Sequence, residues 1–159
     1  MKPFLIAEIS SNHNGSLSRA LDLISKCAEV GFDAVKFQLF NINKLFSKEI
    51  LSQSKAHRDR KEWELPRKFI PVLSTHARDL GMEFGCTPFY IEAVDELCAY
   101  VDFFKISSYE ILWLDLFKAC CQTGKPIIFS TGMANLNEVK DVLETISIGK
   151  SKNVTVLKC

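Results

Sequence analysis

The chain has 159 residues, a formal net charge of +1 and 47% hydrophobic residues, an ordinary globular balance. Near-neutral charge argues against a nucleic-acid partner or an anionic membrane surface, since either would require a basic face. No apolar run approaches the roughly 20 residues that cross a bilayer. The N-terminal MKPFLIAEIS lacks the apolar region and cleavage site of a signal peptide, so no membrane association and a cytoplasmic location are expected.

The hydrophobic period then switches repeatedly along the chain. Phe4 to Ile9 reads as a buried strand. Gly15-Ser16 caps a helix whose apolar face carries Leu17, Ala20, Leu21, Ile24, Cys27 and Ala28, and Gly31 ends it. Asp33 to Leu39 is the second strand. The connection from Phe40 to Leu65 is long and holds the mixed-charge run KAHRDRKE, expected to be a solvated face, with a lid over an active site as the alternative. LFSKEIL within it suits a short helix. Pro66 opens a helix with Phe69, Leu73, His76 and Leu80 on its stripe. Glu83 to Thr87 is the third strand, stopped by Pro88. Ile91 to Tyr100 is helical, and Val101 to Ser107 is the fourth strand. Trp113 to Gln122 forms a helix closed by Gly124, and Pro126 to Ser130 the fifth strand. Asn135 starts a helix carrying Leu136, Val139, Leu143 and Ile146. Asn153 to Lys158 is the sixth strand.

Strand and helix therefore alternate six times, which predicts a parallel sheet with helices on its faces. A (β/α)8 barrel fits this rhythm but typically needs about 250 residues. A doubly wound open sheet is the alternative; the turn after strand one, SSNHNGS, lacks the glycine fingerprint of its nucleotide-binding version.

The six cysteines include no C-x-x-C spacing. Cys27, Cys86, Cys98, Cys120 and Cys121 fall in apolar stretches and Cys159 ends the chain, so reduced cysteines are expected. His13 is read as an ordinary solvated loop residue. With His57 and His76 not clustered, no metal site is expected in this chain.

Strand parity sorts the side chains. Ala34, Lys36 and Gln38 share one face and Val35 and Phe37 the other. Phe103, Lys105 and Ser107 oppose Phe104 and Ile106; Ile6, Glu8 and Ser10 align, as do Ile128 and Ser130. One face of each strand is apolar, while the other turns polar toward the C-terminal end, where parallel α/β proteins bind ligands. Two lysines at matching depth on different strands indicate an anion site. Glu8 can neutralise only one of them, so a ligand with two anionic groups is expected. Thr87 and the Ser130-Thr131-Gly132 turn add hydroxyls and backbone N–H groups suited to phosphate. Tyr109 and Trp113 read as packing or lid residues.

Six segments in order, IAEISSNHNGS, DAVKFQ, FGCTPF, FKISSYE, GKPIIFSTGM and VTVLKC, resemble the sialic acid synthase family, which includes N-acetylneuraminate, legionaminate and pseudaminate synthases. The resemblance implies an incomplete (β/α)8 TIM-type barrel of about six βα units over residues 1–159. It implies an enzyme that condenses phosphoenolpyruvate with an N-acetylated hexosamine, such as N-acetylmannosamine, into a nine-carbon α-keto acid sugar and releases phosphate. By the same resemblance Lys36, Thr87, Lys105, Ser108 and Ser130 hold phosphoenolpyruvate. Gln38 and Glu8 face the sugar, Glu8 as acid or base, and Glu110 supports the lysines or the substrate. Family enzymes use a divalent metal, manganese or magnesium. Their paired metal-binding histidines lie on segments beyond the sixth strand, as do the last two strands and a small antifreeze-like domain. These 159 residues alone are therefore expected to be inactive. Self-association, or pairing through the open barrel edges, is expected. Two rival readings are a non-catalytic anion-binding or assembly module and a Schiff-base aldolase. After strand two, KAHRDRKEWELP replaces a stretch that contacts substrate in many family members.

Overall fold

The computed structural model describes residues 2–158; Cys159 lies outside them. Six strands run parallel: β1 (Ile6–Ser10), β2 (Ala34–Leu39), β3 (Glu83–Pro88), β4 (Phe103–Ile106), β5 (Ile127–Ser130) and β6 (Val154–Leu157). They lie side by side in the order β1-β2-β3-β4-β5-β6. This order decides between the two parallel architectures. A doubly wound sheet reverses direction at a switch point, whereas a barrel adds each strand next to the last. Five long helices cover the outer face: α1 (Leu17–Glu29), α5 (Ile70–Asp79), α6 (Glu92–Cys98), α7 (Leu114–Gln122) and α8 (Leu136–Ser147).

Three of the five begin where the sequence supplies a cap or a stiff turn. Ser16 accepts from the Arg19 N–H at the start of α1. Asn135 and Glu138 form a reciprocal capping box on α8. Pro66 precedes a 3₁₀ turn, Arg67–Phe69, that runs into α5. On α8 the buried side is Val142 and Ile146, while Leu136 and Leu143 are exposed. The stripe is thus rotated from the expected one. Leu80 is likewise exposed, because it caps α5 instead of continuing its face.

The connection after β2 is not a plain loop. It folds into α2 (Ile42–Leu45), α3 (Lys48–Gln53), α4 (Lys55–Asp59) and a 3₁₀ turn, Arg60–Trp63. Glu64 at its far end accepts a 2.7 Å hydrogen bond from the Ile42 N–H at its start. The segment is therefore a closed, self-packed excursion. Lys44 ties it to the neighbouring loop through Glu92 at 2.8 Å and through the face of Tyr90.

The core lies between sheet and helices, where Phe37, Phe84, Phe104, Ile106, Phe117 and Phe129 are fully buried. Cys86, Cys120 and Cys121 are buried free thiols there, and Cys27 and Cys98 are half-buried and also free. Burial pushes the Cys86 thiol up to about 12, so it is inert at neutral pH.

Phe103 fills the opposite face of the sheet. Its ring occupies the space over Gly85, where an added Cβ would lie 2.2 Å from a ring carbon. Phe103 is itself buried and cannot swing aside. Gly85→Ala is expected to cost about 1–3 kcal/mol by overpacking, which a thermal melt followed by circular dichroism would read as a fall of several degrees. An unchanged melting temperature would show that the ring yields.

Candidate functional site

The polar side chains singled out on the strands run from the middle to the C-terminal ends of β1 to β5. Glu8 and Lys36 are in register across β1 and β2 and form an ion pair. Lys36 also donates to Thr87 Oγ1 on β3 at 3.0 Å. The pair is asymmetric: 9% of the Lys36 side chain is exposed against 48% for Glu8. The buried ammonium is thus matched by a carboxylate that still meets solvent, and by a hydroxyl.

The second lysine has a different setting. Lys105 donates to Ser130 Oγ at 2.6 Å and to its neighbour's carbonyl, Ile106 O, at 2.8 Å. Lys36 registers with Gly85, and Gly85 with Phe103. Lys105 therefore stands two residues further along, two strands away. Register and alternation therefore put Lys36 and Lys105 on the same face of the sheet.

Glu110 closes a 3₁₀ turn, Ser108–Glu110, at the end of β4. Ser107 Oγ donates to its carboxylate. Burial raises the Glu110 pKa, and the Ser107 hydroxyl and the charge of Lys105 pull the other way. Ser108 is half-buried on the same turn. The structure thus brings Glu8, Lys36 and Thr87 into one group and Lys105 and Ser130 into a second. Glu110 is joined to Ser107, a contact that parity hinted at by placing Ser107 on the Lys105 face.

A cavity of about 840 Å³ opens beside this cluster. Gln38 and Glu110 form its polar side, and the β1–α1 loop adds Ser10, Ser11, Asn12 and Asn14. Its other wall is aromatic and comes from the excursion after β2 and its neighbours: Phe40, Leu45, Phe46, Trp63, Phe89 and Tyr109, with Arg60 among them. KAHRDRKE is the solvated face that its charge suggests, with seven of its eight residues exposed and His57 half-buried. Its Lys55 and Asp59 pair in solvent, but Arg60 reaches the cavity. The helical turns that place it there leave only a weak apolar period, which charge counting obscures.

Two further features were hidden in the sequence. The β1–β2 register slips between Glu8 and Ser10, and Ser10 takes φ 51°, so Ser10 leaves the simple alternation and leads the chain over the mouth. His13 is fully buried, not solvated. The reason is the Asn14-Gly15 turn, with φ values of 47° and 68°, which folds the imidazole inward beside Phe37, ring centroids 6.4 Å apart. Its Nδ1 accepts from the Gly15 N–H at 3.0 Å, which puts the proton on Nε2. That atom has no partner among the described residues, and burial lowers the His13 pKa.

Among the described residues no group of three His, Cys, Asp or Glu side chains is placed to hold a metal ion. No helix among them is long and apolar enough to cross a membrane.

The profile of the NeuB family matches residues 23–159. The chain is 36% identical to an N,N'-diacetyllegionaminic acid synthase of Campylobacter jejuni, over 99% of this chain and 51% of that protein. It is 33% identical to a spore coat polysaccharide biosynthesis protein of Bacillus subtilis, over 98% of this chain and 44% of that one. The crystal structure of an N-acetylneuraminic acid synthetase from Leptospira borgpetersenii, in complex with citrate, superposes with a TM-score of 0.89 at 29% identity, over 98% of this chain and 53% of that chain. The chain spans about half the length of the curated relatives it matches.

Proposed function

The chain belongs to the NeuB family, and from that premise we propose that it is the phosphoenolpyruvate-binding part of a cytoplasmic synthase that joins phosphoenolpyruvate to an N-acetylated hexosamine. The observation that carries this reading is the pair of lysines on one face of the sheet, each already hydrogen-bonded to a hydroxyl, Lys36 to Thr87 and Lys105 to Ser130. Phosphoenolpyruvate carries a phosphate and a carboxylate, and two cations on separate strands meet both. The aromatic-walled cavity next to them, with Gln38 and Glu110 on its rim, supplies room for the sugar.

In this proposal carbon 3 of phosphoenolpyruvate bonds to the aldehyde carbon of the sugar, whose oxygen takes a proton. The positive charge left on carbon 2 is quenched by water. Loss of a water proton and departure of phosphate then leave the keto acid. Lys36 and Lys105 stabilise the anionic substrate and the leaving phosphate. Glu8, paired with Lys36 and open to solvent, is placed to exchange a proton with water or the aldehyde oxygen. The divalent metal implied by the family resemblance would take its ligands from outside these residues, and no step is assigned to it. Association through β1 and β6, each paired on one side only among the described residues, belongs to the same proposal.

Calorimetric titration tests the reading. One equivalent of phosphoenolpyruvate is expected to bind the chain in competition with inorganic phosphate, and no binding would overturn the assignment. With N-acetylmannosamine and manganese added, these 159 residues are expected to form no keto acid in a colorimetric assay; robust turnover would overturn that expectation.

A further inference from the structure

Among the described residues, Glu110 is the one acidic side chain in the cavity wall, and no step of the condensation uses it. It is half-buried and tied to Ser107. The Ser107 hydroxyl accepts from the Tyr109 N–H at 3.3 Å and donates its own proton to Glu110 Oε2. A hydroxyl has one proton to give, and an ionised carboxylate can only accept, so this bond favours the charged form of Glu110. The Glu110 backbone N–H and the charge of Lys105 act in the same direction. Burial outweighs all three and holds the Glu110 pKa above the ordinary carboxylate value. The other charged groups around the cavity do not stand in for Lys105. Glu8 and Lys36 pair with each other on β1 and β2, and Arg60 lies against the Phe46 and Trp63 rings.

Lys105 therefore serves two anions, the carboxylate of Glu110 and whatever ligand docks on its ammonium. A ligand anion offsets the field that helps to keep Glu110 charged and brings a like charge beside it. The Ser107 hydroxyl and one backbone N–H then remain against burial. We infer that an anion docking on Lys105 is bound together with a proton, which passes from solvent in the cavity to the Glu110 carboxylate, and that Ser107 is the positioning residue that sets the pH range of this coupling. The inference rests on the reading that Lys105 holds an anionic substrate. Coupling is reciprocal, so the proton also tightens the anion. Affinity is accordingly lost as pH rises through the Glu110 pKa of the complex, and is flat below that of the free chain.

Calorimetric titration of phosphoenolpyruvate in buffers of different ionisation enthalpy counts the protons exchanged. Glu110→Gln, scanned beside the parent from about pH 5 to about pH 8, cancels the protons that phosphoenolpyruvate exchanges by itself. The parent is expected to take up a fraction of a proton more than Glu110→Gln over a bounded pH window. Across that window its affinity falls relative to Glu110→Gln by up to about tenfold per pH unit. Ser107→Ala moves the window to higher pH, because burial then meets less opposition, and Ser107→Thr, which keeps the hydroxyl, leaves it in place. A merely structural Ser107 would change affinity alike at every pH. Equal proton counts in the parent and Glu110→Gln overturn the inference, and an unmoved window in Ser107→Ala overturns the part given to Ser107. A chain that binds inorganic phosphate but not phosphoenolpyruvate refutes only the wider reading if phosphate shows the same proton difference, and refutes both if it does not. A chain that binds neither anion also refutes both.

Discussion

Lys105→Met is expected to remove most of the affinity of the chain for phosphoenolpyruvate, a loss of about 2–5 kcal/mol, or roughly 30- to several-thousand-fold. Methionine keeps the length and apolar stem of the side chain but supplies neither the charge nor the donors that reach Ser130 and the Ile106 carbonyl. Lys36→Met should be at least as severe for a different reason. It leaves Glu8 facing an incoming anion without its ion-pair partner, so repulsion adds to the lost attraction. Because nearly half of the Glu8 side chain is exposed, its charge rehydrates and the fold is expected to survive. Calorimetric titration of both variants, beside Lys118→Met as a control on a helix surface where Lys118 pairs with Asp115, measures the difference. Affinity within twofold of the parent in Lys105→Met would refute the two-lysine clamp.

Phe84→Ala carries the largest expected cost in stability, about 3–5 kcal/mol. Phe84 is the second residue of β3, fully buried, with its ring centroid 5.6 Å from that of Phe37. Strands pair on both sides of it, so the hole left by the ring has little freedom to close. A domain of ordinary stability holds only about 5–15 kcal/mol in all. Urea unfolding should therefore show a midpoint reduced by about a fifth or more, and a shift corresponding to less than about 1 kcal/mol would mean that the core refills the space.

Much of the site was legible because strand alternation is rigid. Once the strands were placed, Lys36 and Gln38, and Lys105 and Ser107, had to share a face, and the polar end of that face had to be the ligand end. The neighbour order of the strands was not legible. Apolar runs record that a strand is buried and carry no information about which strand lies next to it. Ser10 escaped because a non-glycine residue at positive φ is set by the register slip around it, not by its own type. His13 escaped because its burial depends on a turn two residues later. Arg60 was obscured by composition: six charged residues stand in the eight of KAHRDRKE, and charge predicts solvent for most of them correctly. Position on the 3₁₀ turn, which the sequence marks only through Trp63, separates Arg60 from the rest.

The consecutive strand order also bears on how the chain is made. Each strand hydrogen-bonds to the one that left the ribosome just before it, so no strand waits for a distant segment. At a synthesis rate of about 5–20 residues per second, every new strand and helix can dock on an edge that already exists, and loop closure spans only one βα unit at each step. The sheet can therefore grow in one direction, with a single growing edge at any moment, and β6 is that edge when residue 158 has been added.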